Sequence, residues 1–166
     1  MRILTFDPSG NHKEGHGVTG FAMFEDDRLL DFGRIESEKF KTTEAYWNTH
    51  LDTILTFAPE LVVYETYKLQ PKKAMQQSWS ELETPQLIGA IRLYCFNKQI
   101  ATYGQDPSIK TRFSDATLED LGYATAKYGK RYNTMYMLDR QCVDHERDAV
   151  RHGLYFWKYN RKKVVV

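Results

Sequence analysis

Apolar and polar positions change period several times along this chain, and each change marks an element. Ile3, Leu4 and Phe6 form a short apolar run, long enough for one buried strand, that ends on Asp7 and Pro8. Proline has no N–H to give to a ladder, so the strand stops and Asp7 is left at its carboxyl end. Gly10 to Gly17 is polar and glycine-rich and reads as an exposed loop. Val18–Phe24 and Leu29–Ile35 read as strands joined by the polar turn Glu25-Asp26-Asp27-Arg28, which makes the first three strands antiparallel. From Thr42 the period lengthens: Trp47, Leu51, Ile54, Leu55 and Ala58 recur at helical spacing until Pro59. Leu61 to Tyr64 is a second continuous apolar run, and it too ends on a carboxylate, Glu65. A helix between two such runs implies a parallel crossover.

Lys68 to Ser80 is polar and basic. Thr84 followed by Pro85 predicts an N-cap and a first-turn proline, opening a helix through Phe96. Gln99–Tyr103 reads as a fifth strand, Pro107-Ser108 restarts a helix, and Val143–Trp157 is the last long helix. The pattern predicts one α/β domain over residues 1–166, with a five-stranded mixed sheet (three antiparallel strands, then parallel additions) flanked by helices.

Composition narrows the class. A chain of 166 residues, 42% hydrophobic and 27% charged, suits one soluble domain with a single core. No apolar run approaches the roughly 20 residues of a membrane span. The chain enters a strand without a charged and apolar leader, so no secretory signal is expected. Cys95 and Cys142 fit no metal spacing and no disulfide framework, which suits free thiols in a reducing cytoplasm. A net charge of +1 says nothing by itself about nucleic acid, but the cations are clustered. Lys68, Lys72 and Lys73 follow Glu65, and Lys110, Arg112, Lys127, Lys130 and Arg131 precede the last helix. Met75 and Trp79 offer either base stacking or the packing of a helix edge.

The candidate chemistry lies in acids far apart in sequence. Two divalent cations about 4 Å apart stabilise the attacking and leaving oxygens of a phosphoryl displacement, and hard cations want carboxylates. Asp7 and Glu65 end neighbouring strands. On the last helix His145 and Asp148 are spaced i, i+3 and Asp144 and Asp148 i, i+4, so either pair shares a face. Each acid also has an ordinary reading: a turn former at Asp7, a strand-edge acid at Glu65, and helix-start acids favoured by the macrodipole at Asp144 and Asp148. Neutralising one acid of such a like-charged cluster is expected to relieve repulsion and raise stability. His12, Glu14 and His16 lie in the glycine loop without metal-ligand spacing.

The order of these motifs resembles the RuvC-type Holliday junction resolvases of the RNase H-like nuclease superfamily, and their compact phage-type members more than the long bacterial ones. Ile3-Leu4-Thr5-Phe6-Asp7-Pro8-Ser9 and Thr19-Gly20-Phe21-Ala22 are similar to the family's first two strands. Val62-Val63-Tyr64-Glu65 is similar to the strand with the second acid, and Gln86-Leu87-Ile88-Gly89-Ala90 to the helix after it. Pro107-Ser108-Ile109-Lys110 and Gly129-Lys130 resemble its basic segments, and His145-Glu146-Arg147-Asp148-Ala149 its closing motif. The resemblance implies a homodimeric crossover junction endonuclease acting on four-way DNA junctions in a bacterial or phage-infected cell. It implies two Mg2+ ions per site, with Mn2+ able to substitute. Asp7 would bridge the ions, with Glu65, His145 and Asp148 as further ligands and Asp144 at the rim. Tyr67, Lys68, Lys72, Lys73, Lys110, Arg112, Lys130 and Arg131 would meet DNA, Lys110 and Lys130 at phosphates. The family's stacking aromatic falls at Lys68, with Tyr67 one residue earlier. Alternatives are an RNase H-like nuclease for other branched DNA or RNA/DNA hybrids, and a non-catalytic branched-DNA-binding module.

Overall fold

A computed structural model of the protein describes residues 1–13, 15–68, 82–128 and 133–162. Strands β1 (Arg2–Asp7), β2 (Val18–Glu25), β3 (Arg28–Glu36), β4 (Leu61–Glu65) and β5 (Ala101–Gln105) form one mixed sheet in the order β3-β2-β1-β4-β5. β1 runs antiparallel to β2 and parallel to β4, and β4 is parallel to β5. The central strand is buried on both faces, which is why its sequence from Ile3 to Phe6, Thr5 apart, is apolar rather than alternating.

Alternation along β1 and β4 assigns each residue to a face. Ile3, Leu61 and Val63 join one core cluster; Leu4, Phe6, Val62 and Tyr64 join the other. Asp7 shares parity with Ile3, and Glu65 with Leu61 and Val63. Both acids therefore emerge on the first face, at the carboxyl ends of adjacent strands. That face is covered by the last long helix, which we call α4 (Asp144–Tyr155), through Ala149, Val150 and Leu154. The second face is covered by α1 (Thr43–Phe57) and α2 (Glu83–Asn97) through Ile54, Leu87, Ile88 and Ile91. Two glycines let α4 lie close: a Cβ on Gly20, opposite Asp7 in the β1–β2 register, would fall 1.9 Å from the His145 carbonyl oxygen, and one on Gly153 would fall 2.3 Å from the Phe24 ring. Buried Thr5 adds a hydrogen bond of 2.7 Å to the Ala149 carbonyl.

Several expectations change. α1 has its Thr42 cap, but α2 begins at Glu83 behind Leu82 in a left-handed conformation, not at a Thr84 cap. The Thr84 hydroxyl is taken by the Gly10 amide at 3.0 Å, a tertiary partner that displaces the local one. The fifth strand lies at Ala101–Gln105, two residues later than its apolar pattern suggested. The expected helix at Pro107 is a 3-10 turn, Pro107–Arg112, capped by Asp106. The last helix stops at Tyr155 and continues as a π turn, Phe156–Asn160. The stretch after Phe113 forms α3 (Asp115–Asp120) and a second, three-stranded sheet of β6 (Thr125–Tyr128), β7 (Asn133–Met137) and β8 (Arg140–Cys142). It packs Leu118, Met135, Met137 and Cys142 into the first core cluster, so polar spacing had concealed an ordered element.

The glycine loop is also tied down. Trp47 Nε1 donates to the Gly10 carbonyl at 3.0 Å, the His12 amide donates to Glu83 at 2.9 Å, and the Gly17 amide donates to Ser37 at 2.9 Å. It links the end of β1 to the start of α2; Glu14 lies outside the described residues.

Candidate metal centre

Side chains from β1, β4 and α4 converge at the carboxyl end of the sheet. Asp7 is buried, and Glu65 and Asp148 are largely so. The Lys110 ammonium, delivered by the 3-10 turn, sits among them, 2.9 Å from Asp7 Oδ1, 2.7 Å from Glu65 Oε2 and 2.8 Å from Asp148 Oδ2. His145 Nδ1 lies 2.7 Å from the other Asp7 oxygen.

Opposing effects set the charges. Burial pushes the Asp7 carboxyl up, but the His145 hydrogen bond and the Lys110 charge outweigh it, and the group titrates below its ordinary range. Burial alone would lower the Lys110 ammonium; Asp7, Asp148 and Glu65 raise it instead. The hydrogen bond to Asp7 raises the His145 imidazole.

A further layer holds the acids in place. Arg151 pairs with the second Asp148 oxygen and with Asp115, and donates from Nε to the Phe113 carbonyl at 2.6 Å. His152 Nε2 lies 2.9 Å from Glu65 Oε2, and its Nδ1 lies 2.8 Å from Gln105 Oε1. Behind Asp7, the Ser9 amide donates to Thr19 Oγ1 at 2.9 Å and Tyr46 OH donates to the Ser9 carbonyl at 2.6 Å. His50 completes this network, bonded to Thr19 Oγ1 at 2.9 Å and to the Tyr46 carbonyl at 3.0 Å. Burial pushes His50 down to about 4 and Tyr46 up to about 12.

The structure thus brings Asp7, Glu65, His145, Asp148 and Lys110 together. Asp144 does not join them: its side chain is 85% exposed and pairs with Arg147, because its place in the first turn faces solvent. Lys68 is exposed and pairs with Asp106. It lines a cleft of about 490 Å³ beside Glu65, with Thr66, Tyr67 and Ser108. Arg112 lies 5.9 Å over the Tyr155 ring. Lys72, Lys73, Met75, Trp79, Lys130 and Arg131 lie outside the described residues.

Sequence reasoning missed His152, Gln105 and Arg151. The signal for His152 was present: it lies four residues after Asp148 and seven after His145, so all three fall on one helical stripe. Gln105 pairs in register with Glu65, and only the sheet reveals that.

The donor set fits a divalent cation. An ammonium already lies within 3 Å of three carboxylates, so the site stabilises positive charge. Asp7, Glu65 and His152 each offer a ligand atom, all within 4.8 Å of one another. A cavity of about 520 Å³ by the β2–β3 turn has no such donor cluster among the described residues.

A mixed sheet of this order, with acids at the ends of its first and fourth strands and a helix across them, is an RNase H-like α/β fold. Within that class the chain has the RuvC-type fold. Thermus thermophilus RuvC in complex with Holliday junction substrate is 17% identical, with a TM-score of 0.67 over 99% of this chain and 98% of that one. A second Thermus thermophilus RuvC structure is 16% identical, with a TM-score of 0.62 over 98% and 97%. No protein-family model matches the sequence. No curated protein matches it either. Among the described residues no helix is long and apolar enough to cross a membrane.

Proposed function

We propose that the protein is a divalent-metal-dependent, structure-selective DNA endonuclease that resolves four-way junctions as a homodimer, residues 1–166 forming one nuclease domain. The observation that carries this is the convergence of Asp7, Glu65 and Asp148 on one cation position. The RuvC-type fold supports it, since one RuvC of that fold is described with a Holliday junction substrate.

In this reading Asp7, Glu65, His145 and Asp148 hold two Mg2+ ions, with Mn2+ able to replace them. Bound there, the ions supply Lewis-acid stabilisation of the charge that builds on the phosphoryl oxygens. Asp7 would hold the metal together with Glu65 from the neighbouring strand and with His145 and Asp148 from α4. Lys110 is a quarter exposed on a flexible stem, so its ammonium can leave the acids and pair with a substrate phosphate. The reaction adds water oxygen to phosphorus and breaks the bond to the 3′ oxygen, which departs with a proton. Lys68 and Tyr67, in the cleft beside Glu65, meet the strand next to the cut. A DNA substrate in a bacterial or phage-infected cell implies a cytoplasmic site of action.

The test is cleavage of four-way junction, fork, duplex and RNA/DNA hybrid, with and without magnesium or manganese. Paired, metal-dependent nicks confined to the junction are expected. Preference for the hybrid would reassign the substrate, and no metal-dependent cleavage of any of them would overturn the reading.

A further inference from the structure

His152 is fully buried on α4 beneath the acids, and it is not among the four ligands proposed above. Its two ring nitrogens are both engaged: Nδ1 lies 2.8 Å from Gln105 Oε1 and Nε2 lies 2.9 Å from Glu65 Oε2. Gln105 is also buried, and its Nε2 is a buried atom with no partner among the described residues, so there the amide uses its oxygen, on the imidazole. An amide oxygen accepts, so Nδ1 donates to it, and in that tautomer Nε2 presents a lone pair. That lone pair faces a carboxylate oxygen. Two acceptors at this distance repel unless a proton or a metal cation lies between them.

The geometry suits a cation. Neighbouring ligands of an octahedral ion, at metal–ligand distances of about 2.1 Å, stand about 3 Å apart. The Nε2–Oε2 distance matches that spacing, and the Asp7, Glu65 and His152 ligand atoms lie within 4.8 Å of one another. A metal-bound histidine characteristically donates its other N–H to a carbonyl or carboxylate, which fixes its tautomer. Gln105 is placed for that task, on the strand beside Glu65 and in register with it.

We propose that His152, its tautomer fixed by Gln105, is a nitrogen ligand of the metal ion held by Asp7 and Glu65. This rests on the site taking a divalent metal, as the proposed function requires. With His145 at the other end of the same stripe, the centre then has two imidazoles among its carboxylates. Nitrogen ligands favour manganese and later divalent metals over magnesium. The chain's metal preference is thereby shifted toward Mn2+.

The test uses the full protein with Mn2+ as the probe, without substrate. Electron spin-echo spectroscopy counts imidazole nitrogens bound to Mn2+, and titration gives the affinity. The wild type is expected to show two, and His152→Ala and His145→Ala one each. His152→Asn separates ligation from hydrogen bonding, because its amide can donate to Glu65 but supplies no imidazole nitrogen. It is expected to lose one nitrogen coupling and about tenfold or more in Mn2+ affinity, with a smaller loss for Mg2+. Melting in chelator checks that each variant is folded. Folded His152 variants with an unchanged nitrogen count would overturn the inference and leave the proposed function standing. No Mn2+ binding by the wild type would overturn both.

Discussion

Replacing Lys110 by methionine removes a charge while keeping most of the side chain's length. In the structure the ammonium lies 2.9, 2.7 and 2.8 Å from Asp7, Glu65 and Asp148, all of which are mostly buried. Without it, Asp7 and Glu65 face each other with ligand atoms within 4.8 Å. At an effective dielectric of about 20, that repulsion alone is roughly 3 kcal/mol. Removing one partner of a buried ionic cluster generally costs about 3–5 kcal/mol, so the two routes agree. The expected result is a loss of about 3–5 kcal/mol in urea unfolding at neutral pH in the presence of chelator. Divalent metal should restore most of it, because a cation that binds only the folded state takes the ammonium's place. Wild-type protein should gain less from the same metal, since there the lysine must first leave. Equal losses with and without metal would refute the reasoning, because the ammonium would then not share the cation's position.

Asp7→Asn, Glu65→Gln and Asp148→Asn should each cut junction cleavage by more than the roughly 10–100-fold typical of outer-layer partners, measured in magnesium. Asp7→Asn should also lower stability in chelator, contrary to simple relief of repulsion, because it breaks the contacts to Lys110 and His145. His145→Ala should lose most activity, His145→Asp should keep some with a shift toward magnesium, and Asp144→Ala should be mild; the reverse ranking of His145 and Asp144 would exchange their roles. Leu93 and Phe96 are 62% and 79% exposed on α2, so Phe96→Glu should convert a dimer to monomer in sedimentation, and a wild type that is monomeric even on junction DNA would rule dimerisation out. His50 is pushed from 6.5 to about 4 by burial, so its contribution is present above pH 6.5 and lost as pH falls through about 4. That window should cost about 3 kcal/mol in wild type, and His50→Asn should flatten it in pH-dependent unfolding.

The sequence by itself determined the five strands of the main sheet, their antiparallel-then-parallel order, and the placing of Asp7 and Glu65 at strand ends and of Asp144, His145 and Asp148 on the last helix. Those features are local: an apolar run ending on a carboxylate marks a buried strand end, and i, i+3 or i, i+4 spacing marks a helix face. The three-stranded sheet was less legible because its strands are short and Lys127, Arg140 and Gln141 interrupt their apolar pattern; Met135, Met137 and Cys142 become core only once α4 lies beside them. Tertiary structure alone decided which polar groups meet. Thr84 caps nothing because Gly10 takes its hydroxyl, and the glycine loop is anchored because Trp47, Glu83 and Ser37 arrive from three other elements. Lys110 became the counter-charge of the acids through contacts to residues 103, 45 and 38 positions away in the chain. Gln105 reached His152 because strand register set it beside Glu65 and helix pitch set His152 beneath Asp148. Period reports which face a residue takes; only packing reports what that face meets.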